Sequence, residues 1–134
     1  MDLQSLIATN KSIEIEYPDM PGFKVQVNYL SKEEIRKISQ KSKTFGFDKK
    51  THQPIETIDD DIFTEIYVSK ALTGWTGLTL NYLSQLVVME NAVDSDEEVP
   101  FKKENALVLI KNSPDFDGWL SSVMSDISVF NRGS

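Results

Sequence analysis

The chain has 134 residues, carries 14 Lys and Arg against 21 Asp and Glu, and is 40% apolar. That length fits one domain with enough apolar side chains for a core, and the net charge of −7 argues against general nucleic-acid or anionic-lipid binding. With no Cys and a single His, disulfide frameworks, thiol nucleophiles, zinc ribbons and most catalytic triads are excluded.

The first element in chain order is a hairpin over residues 12–30. Ile13, Ile15 and Tyr17 alternate with Ser12, Glu14 and Glu16, and Phe23, Val25, Val27 and Tyr29 alternate with Lys24, Gln26 and Asn28. A period of two places the apolar side chains of each strand on one face. Pro18, Pro21 and Gly22 supply the turn. A lone hairpin is marginal in water, so helices from residues 31–130 are expected to cover it.

Ser31-Lys32-Glu33-Glu34 reads as a capping box opening a helix with a thin apolar stripe, Ile35 and Ile38, and basic residues toward its end. Thr44 to Thr57, with Gly46, Asp48 and Pro54 around Phe45, Phe47 and Ile55, predicts an exposed loop or a small hairpin whose aromatics are pinned to the core. Asp59-Asp60-Asp61 opens the next helix as cap and dipole compensation, followed by Ile62, Phe63, Ile66 and Tyr67 at helical spacing. Gly74-Trp75-Thr76-Gly77 breaks that helix, and Thr79 caps another carrying Leu80, Leu83, Leu86 and Val87.

Residues 91–100 form the most acidic window, with Asp94, Asp96, Glu97 and Glu98. Phe101 then leads into a helix with Ala106, Leu107, Leu109 and Ile110. Ser113-Pro114 is a start signal for a single last helix, in which Phe116, Trp119, Leu120, Val123, Ile127 and Phe130 recur at steps of three and four despite Gly118. The expected architecture is a mostly helical α+β single domain over residues 1–132: an N-terminal β-hairpin packed against about five helices. Gly133-Ser134 is read as a cloning scar.

The residues offer little chemistry. Counted from Asp94, the sixth and twelfth positions are Val99 and Asn105, where a calcium loop needs Gly and Glu; a solvated acidic linker accounts better for the run. His52 lies among Lys and Gln with no nucleophile or orienting partner beside it. Asn10-Lys11-Ser12 matches a glycosylation acceptor, without other signs of a secretory route. No apolar run approaches the roughly 20 residues of a membrane helix, and Met1-Asp2-Leu3-Gln4 lacks a signal peptide's basic region. Neither a phosphate loop nor a nucleophile elbow is present. The expectation is a soluble, intracellular protein with no enzymatic activity, no cofactor and no metal. The two tryptophans are the candidate recognition aromatics. Trp119 reads as core, and for Trp75 both core and display at an edge stay open.

The order of parts resembles the small tail assembly chaperones of long-tailed, siphovirus-like bacteriophages. The resemblance rests on the hairpin, the Leu30-Ser31-Lys32-Glu33-Glu34-Ile35 helix start and the loop from Asp48 to Gln53. It continues with the acidic-start helix ending in Gly74-Trp75-Thr76-Gly77-Leu78, the linker closing on Val99-Pro100-Phe101, Glu104-Asn105-Ala106-Leu107, and the last helix. It covers about residues 12 to 130, and its most specific pieces are the Trp-x-Gly-Leu break and the Pro-Phe-x-x-Glu-Asn-Ala-Leu block. The family commonly has Ser or Thr after Pro-Phe, where Lys102 stands here. Lys cannot accept from the first-turn amides, so this cap must be arranged differently.

Similarity to this family implies a non-enzymatic holder of the phage tape measure protein, working in the cytoplasm of the infected bacterium and absent from the mature virion. It further implies, where the gene has a programmed frameshift, a longer form that recruits the tail tube protein; self-association is a further expectation. Membrane and nucleic-acid partners are not expected. Trp75 and Leu78 are the candidate partner-binding residues at the border of a client groove. The alternative from another class is a structural tail or head-completion subunit retained in the virion, and an acidic mimic of DNA ranks last, because the carboxylates cluster at helix starts and one linker.

Overall fold

In the computed structural model, which describes residues 1–91 and 93–132, strands β1 (Asn10–Glu16) and β2 (Lys24–Leu30) pair antiparallel. Ile13 faces Val27 and Ile15 faces Val25, so the alternating apolar residues share the covered face. The turn closes through the Tyr17 amide donating to the Phe23 carbonyl at 2.8 Å, with Asp19 and Gly22 taking positive φ. The reading of Gly133-Ser134 as a cloning scar lies outside the described residues.

The break expected at Gly74 to Gly77 is instead a third strand, β5 (Leu72–Thr76), which pairs antiparallel with β2 and gives the order β1-β2-β5. The register shifts between Gln26 and Val27, so Gly74 and Trp75 are both buried in succession and no clean alternation marks the strand. Gly74 packs beside the Gln26 side chain: a Cβ there would lie 2.7 Å from Gln26 Oε1, which that exposed side chain would have to swing away to admit.

Helix α1 (Lys32–Lys41) starts at Ser31, whose Oγ accepts from the Glu34 amide at 3.2 Å. The reciprocal half of the capping box is not made, because the Ser31 amide donates to the Thr9 carbonyl at 3.1 Å. The region 44–57 is a separate antiparallel ribbon, β3 (Lys43–Phe47) and β4 (Pro54–Ile58). Its aromatics are not pinned to the core: Phe45 is 79% and Phe47 75% exposed. Register explains this, since Phe45, Phe47, Pro54 and Ile58 share one face of a ribbon that pairs only with itself.

Capping follows the sequence at three of the later starts. Helix α2 (Asp60–Ala71) is capped by Asp59, which accepts from the amides of Asp61 and Ile62 at 2.9 and 3.1 Å. For α3 (Leu80–Leu86), Thr79 accepts from the Tyr82 amide at 3.1 Å. For α5 (Pro114–Ser125), Ser113 accepts from the Phe116 amide at 3.1 Å, with Pro114 at the first helical position. Between them, α4 (Lys103–Asn112) has no side-chain cap from Lys102; Asn105 Nδ2 ties back to the Pro100 carbonyl at 3.0 Å. The expected single last helix is broken at Asp126, giving α6 (Ile127–Arg132) and six α-helices among the described residues. The Asp126 carboxylate accepts from Ser128 Oγ at 2.6 Å and the Ser128 amide at 3.1 Å, which starts a new helix. Ile127, expected on the buried stripe, is exposed.

The main core lies between the sheet and the helices, around Phe23, Val25, Leu72, Phe116 and Leu120. Each such side chain contributes about 1.5–3 kcal/mol on burial. A satellite of Leu30, Ile38 and Ala71 sits under α1, and Tyr67 and Met124 touch both clusters. Trp119 is half-buried, 4.9 Å from Tyr17 and 5.6 Å from Phe116 by ring centroids.

Two glycines give opposite expectations. A Cβ on Gly77, at φ +78, would collide with the Gly22 carbonyl; Gly77→Ala should cost more than about 2 kcal/mol in chemical denaturation. Gly118 lies within α5 with nothing near its would-be Cβ, so Gly118→Ala should gain about 0.5–1 kcal/mol.

Burial, with a smaller contribution from Asp117, pushes the Tyr67 hydroxyl above its ordinary value. The neutral phenol is therefore favoured in the folded state. Its stabilising contribution is complete below the unfolded value near pH 10 and is lost as pH rises through the higher folded value. Alkaline titration of Tyr67→Phe, followed by circular dichroism, should show a shallower loss of stability above pH 10 than the parent.

Candidate functional site

The site forms where β5 leaves the sheet. Trp75 comes from the strand, Gly77 turns the chain at positive φ, Leu78 follows, and α3 then supplies Leu83 before Val87 and Val88. The acidic linker returns along this segment. The Leu80 amide donates to the Glu97 carbonyl at 2.9 Å, Asn81 to Ser95 at 3.0 Å, and Val99 to Leu78 at 2.7 Å. Past Pro100 and Phe101, α4 closes the far wall with Asn105, Val108, Leu109 and Asn112.

These residues line an apolar cleft of about 240 Å³. Trp75 (6% exposed) and Leu78 (1%) are its floor rather than its border. The indole Nε1 donates to the Val99 carbonyl at 2.9 Å, and its ring meets Phe101 edge-on, 4.9 Å away at 85°. The lips are Val88, fully exposed, and Val108, more than half exposed. Drug-sized ligands usually occupy about 300–1,000 Å³; this cleft is smaller. None of the lining side chains is an acid, a base or a nucleophile, so the cleft offers burial and the two amides of Asn105 and Asn112.

None of the linker carboxylates is part of this lining; Asp96 and Glu98 line a separate cavity with Pro21, Gly22 and Tyr82. Asp94, Asp96, Glu97 and Glu98 are all exposed on the linker segment pinned beside Leu78 to Asn81. Among the described residues no cluster of His, Asp and Glu is arranged to hold a metal, and no helix is long and apolar enough to cross a membrane. His52 stands at positive φ in the β3–β4 turn, where Asp48 Oδ1 accepts from the Lys50 amide at 2.8 Å. Trp119 belongs to a different cluster, with Tyr17 and Phe116.

The sequence marked Trp75 and Leu78, and the cleft brings them together. It did not mark Val88 or Val108. A signal for Val108 exists: it is the apolar residue standing off the buried Ala106, Leu109 and Ile110 face of α4. Val88 is the apolar residue left over beyond the α3 stripe. No protein-family model, characterised protein or solved structure matches the chain.

Floor and lips should separate by mutation. Trp75→Phe removes the donor to the Val99 carbonyl and should cost about 1–3 kcal/mol in denaturant titration. Val88→Ser and Val108→Ser should stay within about 0.5 kcal/mol of the parent.

Proposed function

We propose that the chain is a non-enzymatic tail assembly chaperone, which holds apolar helical segments of a phage tape measure protein until the tail tube forms around them. One observation carries the reading. Parts of the family resemblance meet across one cleft: Trp75 and Leu78 form its floor beside Val99, and Asn105 of the Pro-Phe-x-x-Glu-Asn-Ala-Leu block stands on its far wall. The Trp75 indole bonds the Val99 carbonyl and packs on Phe101, so segments that carry the resemblance also build the cleft.

Physical chemistry supports the same role. An amphipathic client helix presents anchors at i, i+3, i+4 and i+7, and an apolar groove with exposed lips accepts them. A stoichiometric holder of this kind is driven by burial of apolar surface and needs no nucleotide. Its working place is the cytoplasm of the infected host, and a frameshift-extended form would bring in the tail tube protein.

Co-expression with the tape measure protein of the same phage tests the proposal. The client should be soluble with the parent chain, and its soluble yield should fall at least about tenfold with Val88→Lys plus Val108→Lys, which change only the cleft lips. A client equally insoluble with and without the chain would sink the reading. Mass-spectrometric inventory of purified virions should lack the chain; finding it there in stoichiometric amount would favour a structural tail or head-completion subunit.

A further inference from the structure

The β3–β4 ribbon leaves two phenylalanines bare: Phe45 and Phe47 share one face with Pro54, and both are more than 70% exposed. Its root is fixed, because the Asp59 amide donates to the Ser42 carbonyl at 2.8 Å and the buried Ser42 hydroxyl donates to the Ile38 carbonyl at 2.7 Å. Among the described residues no third strand pairs with either edge. The ribbon is thus a rooted arm, and none of its residues lines the cleft.

The two edges of the arm are not equivalent. At the tip the Asp48 amide donates to the Gln53 carbonyl at 2.9 Å. Bonded and unbonded pairs alternate along an antiparallel ribbon. Gly46 therefore bonds Ile55 and Thr44 bonds Thr57, while Phe45 and Phe47 on one edge, and Pro54 and Glu56 on the other, turn their backbone groups outward. Pro54 has no N–H to give, which blunts the β4 edge. The β3 edge keeps the outward N–H and C=O of both phenylalanines. An extended segment can add to such an edge by main-chain hydrogen bonds and lay alternate side chains beside the two rings.

Charge selects the kind of segment. Residues 41–50 hold four Lys and one Asp, whereas the other 124 residues hold 10 Lys and Arg against 20 Asp and Glu. Lys43 is paired with Glu56 on the ribbon. Lys41 at the root and Lys49 and Lys50 at the tip are exposed and make no ion pair among the described residues. We propose that the β3 edge takes an extended acidic segment of another protein as an added strand. Its apolar side chains lie against Phe45 and Phe47, and its carboxylates meet Lys41, Lys49 and Lys50. Charge argues against a second copy, because antiparallel pairing of β3 with β3 about Phe45 brings Lys49 of each tip to Lys41 of the other root. A phosphate polymer or an anionic bilayer extends well past the arm, where the chain offers it twice as many acids as bases. The contact uses no residue of the cleft, so it stands or falls apart from the chaperone reading.

A short fluorescent peptide of alternating valine and threonine, with paired aspartates at each end, tests the contact. It should bind the parent chain saturably, with a Kd below about 1 mM, and its lysine-ended counterpart should not bind. Phe45→Ser plus Phe47→Ser should abolish binding, and Lys49→Glu plus Lys50→Glu should weaken it about tenfold at low salt. All four side chains are exposed, so the denaturation midpoint of each variant should match the parent, which separates loss of the contact from loss of the fold. Methylating the peptide amides at every second residue blocks one edge of a strand; one alternate set should abolish binding and the other should leave it. Absence of saturable binding overturns the inference, as does equal binding of the lysine-ended peptide or binding that survives loss of both phenylalanines. Tighter binding of oligothymidylate or of phosphatidylserine vesicles would overturn it in favour of a phosphate surface. Concentration-dependent self-association that needs both phenylalanines would overturn it in favour of a second copy.

Discussion

The pairing of Leu72–Thr76 with β2 is the contact on which the rest of the structure depends. Without it the N-terminal hairpin would be two strands with a bare edge, a marginal arrangement in water. With it, Trp75 comes opposite Val25 and Leu72 opposite Val27, and the end of α2 is fixed against the sheet. One close approach makes the closure strict: Gly77, at positive φ, lets the chain pass the Gly22 backbone. The cleft floor is a consequence of that closure, because the strand that completes the sheet delivers Trp75 and then Leu78.

The second constraint is where polar backbone goes once β5 ends. The segment Leu78 to Asn81 does not continue the sheet, and its amides and carbonyls are met by Ser95, Glu97 and Val99 of the linker. The linker is thereby held as a partner strip, with its carboxylates turned to water. The net charge of −7 divides accordingly. Part of it caps α2 at Asp59 to Asp61, where helix amides and dipole favour it, and part stands exposed on the linker, with Asp96 and Glu98 beside Pro21 and Tyr82 rather than at the cleft. The buried floor and the solvated linker are thus supplied by one short piece of chain and its return.

What could be read from the sequence follows the range of the interaction that decides it. The hairpin and the caps at Asp59, Thr79 and Ser113 are local: alternation, or one side chain bonding amides two or three residues on. Strand β5 was hidden because a register shift spoils its alternation and two glycines imitate a helix stop. The break at Asp126 was masked by apolar residues that continue at helical spacing on either side of it. At Ser31 the predicted box was half right, since a distant carbonyl, that of Thr9, took the amide Glu34 was expected to satisfy. Exposure of Phe45 and Phe47 depends on which face of a ribbon finds a partner, and composition carries no trace of that. In the site, Trp75 and Leu78 were legible as large apolar residues at a break, whereas Val88 and Val108 become lips only when α3 and α4 are placed across from each other.

An exposed apolar cleft and an exposed aromatic arm are each a liability, because bare apolar patches promote indiscriminate association. They differ in what holds them open. The cleft is walled by segments anchored in the core through Leu86 and Leu109, so its lips Val88 and Val108 stay apart because the helices under them cannot close. The arm pairs only with itself and is fixed at its root, where the Asp59 amide bonds the Ser42 carbonyl, so its phenylalanines stay bare because no other element of the fold reaches them.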